Sequence, residues 1–169
     1  MRYEHQLAGG QTPAQGAVPL VKSYVDEVVS ADLHRLALDA GRLSRFAADP
    51  YMPAGTMERM YSIWIRRSVT REIADDVLVT GAGGDAIGGF ISVARVNDPG
   101  IIALIAVDPA HQRQGIGRAL MRAAEAHFLR SGVSQVVVTT QDSNLSACAL
   151  YEGCGYRRAK TVAAVHFWL

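Results

Sequence analysis

The chain has 169 residues, with 17 lysines and arginines against 16 aspartates and glutamates, and this length suits a single domain with its own core. The formal net charge of +1 excludes a generally basic nucleic-acid-binding protein, which needs a dense positive field. Hydrophobic residues at 49% and charged residues at 20% exclude a highly charged, disordered chain.

The two cysteines, Cys148 and Cys154, form neither a CxxC pair nor a disulfide framework, so reduced thiols are expected. No apolar run reaches the roughly 18 residues of a membrane-spanning helix. The first ten residues lack the apolar core of a secretory signal. We therefore expect a cytoplasmic protein without a membrane partner. No His or Cys spacing typical of a metal site is present, so no metal is expected.

The N-terminal part of the chain predicts a tail followed by one domain. Residues 1–17 are rich in Gly, Gln, Ala and Pro without an apolar period, which predicts a flexible tail before a single domain over residues 18–169. Residues 18–29 predict a strand that leads to a helix start. Residues 32–38 continue this helix, and Gly41 is expected to end it.

A second helix is predicted after a loop that contains two prolines, with Thr56 as its cap. Apolar side chains recur along it at steps of three and four residues: Met57, Met60, Tyr61, Trp64 and Ile65. Such a stripe is typical of a helix packed on a core, and partial exposure to a substrate pocket is the alternative.

The second half of the chain alternates strands and helices. Strands are predicted over 77–80, 87–96, 101–107, 135–140 and 162–169, and helices over 115–130 and 144–151. A glycine-rich turn at 81–85 joins the first two of these strands into a hairpin, so the sheet is expected to be partly antiparallel.

One glycine pair indicates an anion site. Residues 102–125 read IALIAVDPAHQRQGIGRALMRAAE and place Gly115 and Gly117 where a strand passes through a turn into a helix. Free N–H groups at a helix start hold anions, and glycine permits close approach. A P-loop is excluded because Arg118 follows Gly117, and a dinucleotide fingerprint because Leu120 stands where its third glycine would be. The stretch predicts a phosphate or pyrophosphate cradle.

Two sequence blocks resemble those of the GNAT N-acetyltransferase superfamily. QRQGIG fits the acetyl-CoA pattern [Q/R]-x-x-G-x-G, and residues 139–156, TTQDSNLSACALYEGCGY, fit N-x-x-A-x-x-L-Y-x-x-x-G-[FY]. The resemblance implies an α/β (mixed α+β) fold. Its twisted sheet would be mostly antiparallel, with a parallel, splayed pair at the coenzyme A site and about four flanking helices.

The resemblance also implies which residues bind acetyl-CoA as co-substrate: Ile105, Ala106, Val107, Gln112, Arg113, Gln114, Gly115, Ile116, Gly117, Arg118, Asn144, Ala147 and Tyr151. Val107 would act through its main chain. Asn144 would contact pantetheine, cap its helix, or do both. Tyr151 is the implied catalytic acid, with its hydroxyl directed at the departing sulfur. The strand IIALIAV carries no carboxylate, so no general base is identified.

The segments SRFAADP and MYSIWIRRS are similar to those of a subgroup of the superfamily that acts on nucleotide-linked amino sugars, dTDP-fucosamine N-acetyltransferases among them. That similarity implies Arg45, Phe46, Tyr61 and Trp64 as acceptor contacts, whereas packing and loop anchoring are the alternative roles. A small-molecule amine is the expected partner, with no nucleic acid.

Other functions stay open: acetylation of a peptide N-terminus, a polyamine or an antibiotic amine, or a non-catalytic acyl-CoA-binding or regulatory domain. The C-terminal strand could complete its own sheet or pair in a homodimer.

Overall fold

The computed structural model describes residues 1–7, 19–81, 86–95, 99–161 and 163. Its strands are β1 (Arg2–Gln6), β2 (Val21–Ser23), β3 (Asp76–Gly81), β4 (Ile87–Arg95), β5 (Gly100–Val107), β6 (Gln135–Thr139) and β7 (Arg157–Lys160). They form one sheet in the order β2-β3-β4-β5-β6-β1-β7. β5 and β6 run parallel and the other neighbouring strands run antiparallel. The predicted mixed sheet with one parallel pair is confirmed.

Helices cover both faces of this sheet. They are α1 (Ala31–Gly41), α2 (Arg45–Ala48), α3 (Thr56–Val69), α4 (Ile116–Arg130) and α5 (Leu145–Gly153). One hydrophobic core lies between the sheet and α1 with α3, around Leu36 and Phe90. The other lies between the sheet and α4 with α5, around Leu120 and Phe128. In the part of the chain that is described, α2 is a single turn added to the four helices expected.

The N-terminal strand β1 is the largest departure from the sequence prediction. A flexible tail was expected over residues 1–17, but Arg2–Gln6 lies between β6 and β7 and pairs antiparallel with both. The prediction is wrong for these residues because their polar sequence gives no local signal, while the strands that pair with them are far away along the chain. Residues 8–18 lie outside the described residues.

β5 contains one residue more than the facing stretch of β4. Ser92 pairs with Leu104 whereas Val93 pairs with Ile102, so Ala103 forms a β-bulge. The Ser92 hydroxyl accepts a hydrogen bond from the Leu104 N–H at 3.0 Å. The bulge shifts the alternation of side chains, so that Ile102 joins the core under α4 while Leu104 joins the core under α1 and α3.

β5 and β6 separate just after this bulge. Their parallel register pairs Gly100–Ile102 with Val136–Val138 and ends there, although β5 continues to Val107. The divergence leaves one edge of β5 facing a cleft instead of a neighbouring strand.

One smaller prediction differs from the structure, and a second cannot be compared with it. Thr56 is the first residue of α3 and does not cap it; the cap position belongs to Gly55, whose φ of +74° is left-handed and suits glycine better than threonine. The strand predicted over 162–169 lies outside the described residues, except residue 163. β7 instead forms over Arg157–Lys160, where all four residues are exposed.

Among the described residues, no helix is both long and apolar enough to cross a lipid bilayer.

Candidate active site

The cleft between β5 and β6 reaches both hydrophobic cores. Its walls come from α1, the start of α2, α3, the separated strands and α5: Ala40, Leu43, Ser44, Tyr61, Ile102, Ala103, Leu104, Ile105, Val138, Thr139, Thr140, Gln141, Asn144, Ala147 and Tyr151. None of these lining side chains is a lysine, arginine, aspartate or glutamate. The cleft lining therefore has no charged side chain, and its polar groups are main-chain, hydroxyl and amide groups.

The end of β5 leads into a short turn held by side chains. The Asp108 carboxylate accepts a hydrogen bond from the Ala110 N–H at 2.8 Å and begins a 3₁₀ turn over Pro109–His111. The Gln112 amide donates to the Val107 carbonyl at 3.2 Å. These contacts fix the path of the chain between β5 and the start of α4.

The start of α4 is where the sequence predicts an anion cradle. Arg113 and Gly115 both adopt left-handed backbone, with φ of +64° and +84°. A Cβ on Gly115 would meet nothing within 4 Å, whereas a Cβ on Gly117 would lie 3.2 Å from the Leu150 side chain. The open space at Gly115 is the room a ligand needs beside the free N–H groups of the first helical turn. Gly117 lets α4 pack closely on α5.

The predicted cradle residues differ in whether their side chains are exposed or buried. Gln112, Arg113, Gln114 and Arg118 are exposed. The Ile116 side chain is buried in the core under α4, so only its main chain faces the cradle.

Positive charge surrounds the cradle. Arg113, Arg118 and Arg122 form no ion pair with any residue that the structure describes, which leaves their charge available to an anion. By contrast, Arg35 of α1 pairs with Asp108 at 2.6 Å. This ion pair links α1 to the turn that precedes the cradle.

The strand residues predicted to meet the donor lie beyond the point where β6 leaves. Ile105, Ala106 and Val107 pair with β4 on one side only. Ile105 also lines the cleft. Their position agrees with a role through the main chain, and the predicted contacts themselves stay predictions.

Asn144 caps α5, as one of its two expected roles requires. Its side-chain oxygen accepts hydrogen bonds from the Ala147 N–H at 3.2 Å and the Ser146 hydroxyl at 3.0 Å. Asn144 and Ala147 both line the cleft, so contact with a donor substrate stays open to them as well.

Tyr151 lies at the inner end of the cleft with only 2% of its surface exposed. Its ring packs against Tyr3 at 5.5 Å and Tyr156 at 6.3 Å between centroids. Its hydroxyl forms no hydrogen bond within the described part of the chain. Burial raises the pKa of Tyr151, and the neighbouring Cys148 and Tyr3 add to this effect. The phenol is therefore neutral at physiological pH and can donate a hydrogen bond.

Of the four predicted acceptor residues, Tyr61 lines the cleft. Trp64 packs edge-on against Tyr61 at 5.5 Å and is not part of the cleft lining. Arg45 is exposed on α2 and lies over the Phe46 ring at 4.7 Å. Burial raises the pKa of Tyr61, while Ser44 and the charge of Arg45 oppose this shift. Arg45 is thus close enough to influence the cleft electrostatically.

The sequence interpretation missed four polar residues that line the cleft: Ser44, Thr139, Thr140 and Gln141. Ser44 begins the quoted segment SRFAADP, and Thr140 and Gln141 directly follow β6. Only their position after a strand end could have indicated them.

Among the described residues, no group of three or more His, Cys, Asp or Glu side chains could hold a metal ion.

Comparison with known proteins identifies the class of protein that this fold and cleft define. Residues 43–156 match the model of the Acetyltransferase (GNAT) family, and the chain belongs to that family.

Named relatives resemble parts of the chain. It is 41% identical over 70 residues to the [Ribosomal protein bS18]-alanine N-acetyltransferase of Escherichia coli (strain K12), covering 41% of this chain and 47% of that enzyme. It is 27% identical over 141 residues to N-alpha-acetyltransferase 30 of Xenopus laevis, covering 81% of this chain and 46% of the relative. The chain thus spans about half the length of these relatives.

Solved structures share the fold. The IAA acetyltransferase of Bacillus cereus superposes with a TM-score of 0.60 at 26% identity, over 83% of this chain and 78% of that one. A mutant of the BH1408 protein of Bacillus halodurans gives 0.68 at 18% identity, over 88% and 99%. The second likeness concerns the fold alone.

Proposed function

We propose that this chain transfers an acetyl group directly from acetyl-CoA to a primary amine. One observation carries the proposal: the strand that ends at the glycine cradle also forms one wall of the cleft, where the Tyr151 hydroxyl has no partner among the described residues. A donor held by its phosphates at the cradle would therefore have its thioester near a hydrogen-bond donor.

The chain's residues fit such a donor. The main-chain N–H groups around Gly115 would hold the pyrophosphate, with Arg113 and Arg118 adding positive charge. The free edge of β5 over residues 103–107 would accompany the pantetheine arm by main-chain hydrogen bonds. Gly115 leaves open the space that a side chain would otherwise occupy.

In the proposed reaction the amine nitrogen attacks the thioester carbonyl carbon and forms the new C–N bond. The C–S bond breaks, and its electron pair leaves on sulfur. Tyr151 would donate its hydroxyl proton toward that sulfur, and the amine would release its extra proton to water. Because burial raises the pKa of Tyr151, the hydroxyl keeps its proton until the sulfur becomes basic. No carboxylate of the described residues lines the cleft, so water is the proposed acceptor of the amine proton.

The acceptor that the cleft favours is the α-amine of a peptide. The names of two relatives specify a ribosomal-protein alanine and N-alpha acetylation. The edge of β6 beyond Val138, which lines the cleft on the side opposite the donor strand, would offer main-chain groups to an extended peptide. Polycations such as polyamines and aminoglycosides are disfavoured, because the cleft lining that the structure describes carries no acidic side chain.

A nucleotide-linked amino sugar is the second candidate, and Arg45 is the observation that favours it. The Arg45 charge reaches Tyr61 at the cleft wall and could pair with a sugar-nucleotide phosphate. Phe46 beneath Arg45 would offer an aromatic face.

Cys148 and Cys154 are free thiols and acetyl-CoA is an intracellular donor, so we place the proposed reaction in the cytoplasm.

The deciding experiment measures thiol release from acetyl-CoA with peptides that begin with alanine, a nucleotide-linked amino sugar, a polyamine and an aminoglycoside. We expect acetyl-CoA to raise the Tm by mass action and the peptides to give the highest kcat/KM. Tight acetyl-CoA binding without turnover of any amine would instead support a non-catalytic binding domain. Failure of acetyl-CoA to shift the Tm would overturn the proposal.

Tyr151→Phe tests the catalytic residue in the same assay. We expect kcat to fall about 100-fold, with an acetyl-CoA KM within about twofold of wild type, since the substitution removes only the hydroxyl. Tyr51→Phe is the matched control because Tyr51 is 75% exposed. An unchanged kcat in Tyr151→Phe would reject the acid role.

A further inference from the structure

We infer that Tyr3, on the N-terminal strand β1, is a positioning residue for Tyr151. The inference rests on the proposed function of Tyr151 and extends it to a strand that the sequence predicted to be a flexible tail. Tyr3 would not contact either substrate; it would act by fixing where the Tyr151 hydroxyl points.

The backbone of Tyr3 is held on both sides. Tyr3 pairs with Val138 of β6 and with Arg158 of β7. Its side chain has no exposed surface and lies in the core under α4 and α5. A residue fixed in this way can serve as a rigid support for a neighbour.

The Tyr3 ring packs directly against the proposed catalytic residue. The ring centroids of Tyr3 and Tyr151 are 5.5 Å apart, with the rings tilted by 60°, an arrangement that aromatic pairs favour. Tyr151 has only two side-chain torsions, so a support on one side of its ring restricts the direction of its hydroxyl.

The Tyr3 hydroxyl ties β1 to the turn of α5 that carries Tyr151. It donates to the Glu152 carboxylate at 3.1 Å and accepts from the Arg158 guanidinium at 3.3 Å. Glu152 and Arg158 also form an ion pair at 3.6 Å. Because Glu152 follows Tyr151 in the chain, this network holds the backbone next to the proposed acid.

Tyr156 provides an internal contrast. Its ring is also near Tyr151, at 6.3 Å, but its buried hydroxyl faces Glu125 of α4 and not α5. The Tyr156 main-chain N–H donates to the Tyr151 carbonyl at 3.0 Å. Of these two neighbours, Tyr3 is the one whose side chain combines a ring contact with Tyr151 and a hydrogen bond to α5. Tyr156→Phe is therefore the matched control for loss of a buried phenol in the same core.

The test is a double-mutant cycle in full-length protein, with kcat and acetyl-CoA KM measured separately. Tyr3→Leu removes the ring, Tyr3→Phe removes only the hydroxyl, and each is combined with Tyr151→Phe. We expect Tyr3→Leu to lower kcat about tenfold or more, with KM changed by less than about twofold. Tyr3→Phe keeps the ring and should therefore retain most of the wild-type kcat. Tyr156→Phe should match wild type.

If Tyr3 acts by positioning Tyr151, Tyr3→Leu should cause no further loss in kcat in the variant that already carries Tyr151→Phe. Hydrogen–deuterium exchange of the unliganded protein gives a readout independent of activity: Tyr3→Leu should speed exchange in α5 and leave α1 unchanged. A wild-type kcat in Tyr3→Leu, or losses that multiply in the double variant, would overturn the inference. If Tyr3→Leu fails to fold, the same cycle with Tyr3→Phe decides, with a smaller loss expected.

The two proposals can fail separately. A wild-type kcat in Tyr151→Phe removes the role of Tyr151 and with it that of Tyr3. A loss in Tyr151→Phe together with multiplying losses from Tyr3 removes only the positioning role.

Discussion

The two sides of the cleft are built from different kinds of groups, main-chain groups on one side and side chains on the other. On the α4 side the candidate site consists of main-chain groups arranged around Gly115 and Gly117. On the α1 and α3 side it consists of side chains, such as Tyr61, that also belong to a hydrophobic core. A main-chain site requires glycine at particular positions, whereas a side-chain wall uses residues that also occur in any core. The first therefore has a recognisable sequence pattern and the second does not.

The largest predicted effect tests the main-chain side. Gly115→Val places a β-branched residue at φ +84°, a conformation such residues rarely adopt, and puts its side chain in the open space of the cradle. Since each charge-assisted hydrogen bond contributes about 1.5–3 kcal/mol, we expect the acetyl-CoA KM to rise about 10- to 100-fold. Steady-state kinetics and acetyl-CoA titration measure this change.

Gly132→Val is the matched control for this substitution. Gly132 follows the other end of α4, has φ +74°, and its Cβ would also meet nothing within 4 Å. It should lower the Tm as Gly115→Val does but leave the KM unchanged. Equal KM values for the two variants would contradict the cradle.

A smaller effect is expected on the side-chain wall. Tyr61→Leu alters the lining of the cleft, so we expect the acceptor KM to rise about tenfold while the acetyl-CoA KM stays unchanged. Trp64→Leu, which alters a residue packed edge-on against Tyr61, should lower the Tm with little change in either KM. If both variants raised the acceptor KM equally, the expectation that Tyr61 contacts the acceptor and Trp64 does not would be wrong.

The smallest effect concerns a buried carboxyl on the cradle helix. Glu125 is 9% exposed, and one of its oxygens has no hydrogen-bond partner among the described residues. Burial raises the pKa of Glu125 from 4.5, although the charges of His5 and Arg122 oppose the shift. The folded state thus retains a proton that the unfolded state loses, and stability should fall as pH rises above about 4.5.

Glu125→Gln should remove this pH dependence and raise the Tm at pH 8 by about 2–4 °C, with a smaller gain at pH 4.5. The exposed Glu27 supplies the control, since Glu27→Gln should leave the Tm profile unchanged. A lower Tm for Glu125→Gln at pH 8 would show that favourable interactions of the ionised Glu125 carboxylate outweigh the cost of its burial.

The region from α4 to α5 could be predicted closely. The helix expected over 115–130 forms at Ile116–Arg130, and the strand expected over 135–140 forms at Gln135–Thr139. Glycines mark the ends of these elements and apolar residues recur with a clear period, so local sequence determines them. The cradle stays a prediction from the glycine pattern, whereas Tyr151, which lines the cleft, was implied by the resemblance to the GNAT superfamily.

The strands β1 and β7 could not be predicted because no local signal specifies them. The β7 residues are all exposed, and β1 carries Arg, Glu, His and Gln among its five residues. Their stability comes from main-chain pairing with distant strands. The bulge at Ala103, which separates β5 from β6, depends on register across the sheet and leaves no motif in the sequence.

The position of β1 between β6 and β7 has a consequence for how the protein forms during synthesis. Glu4 and its hydrogen-bond partner Gln135 lie 131 residues apart in sequence. At about 5–20 residues per second, residues 2–6 leave the ribosome on the order of ten seconds before β6 exists to pair with them. β1 therefore cannot pair until β6 has been translated, and loop closure over 131 residues slows folding. The support beneath Tyr151 is completed only after β6 and β7 have been made.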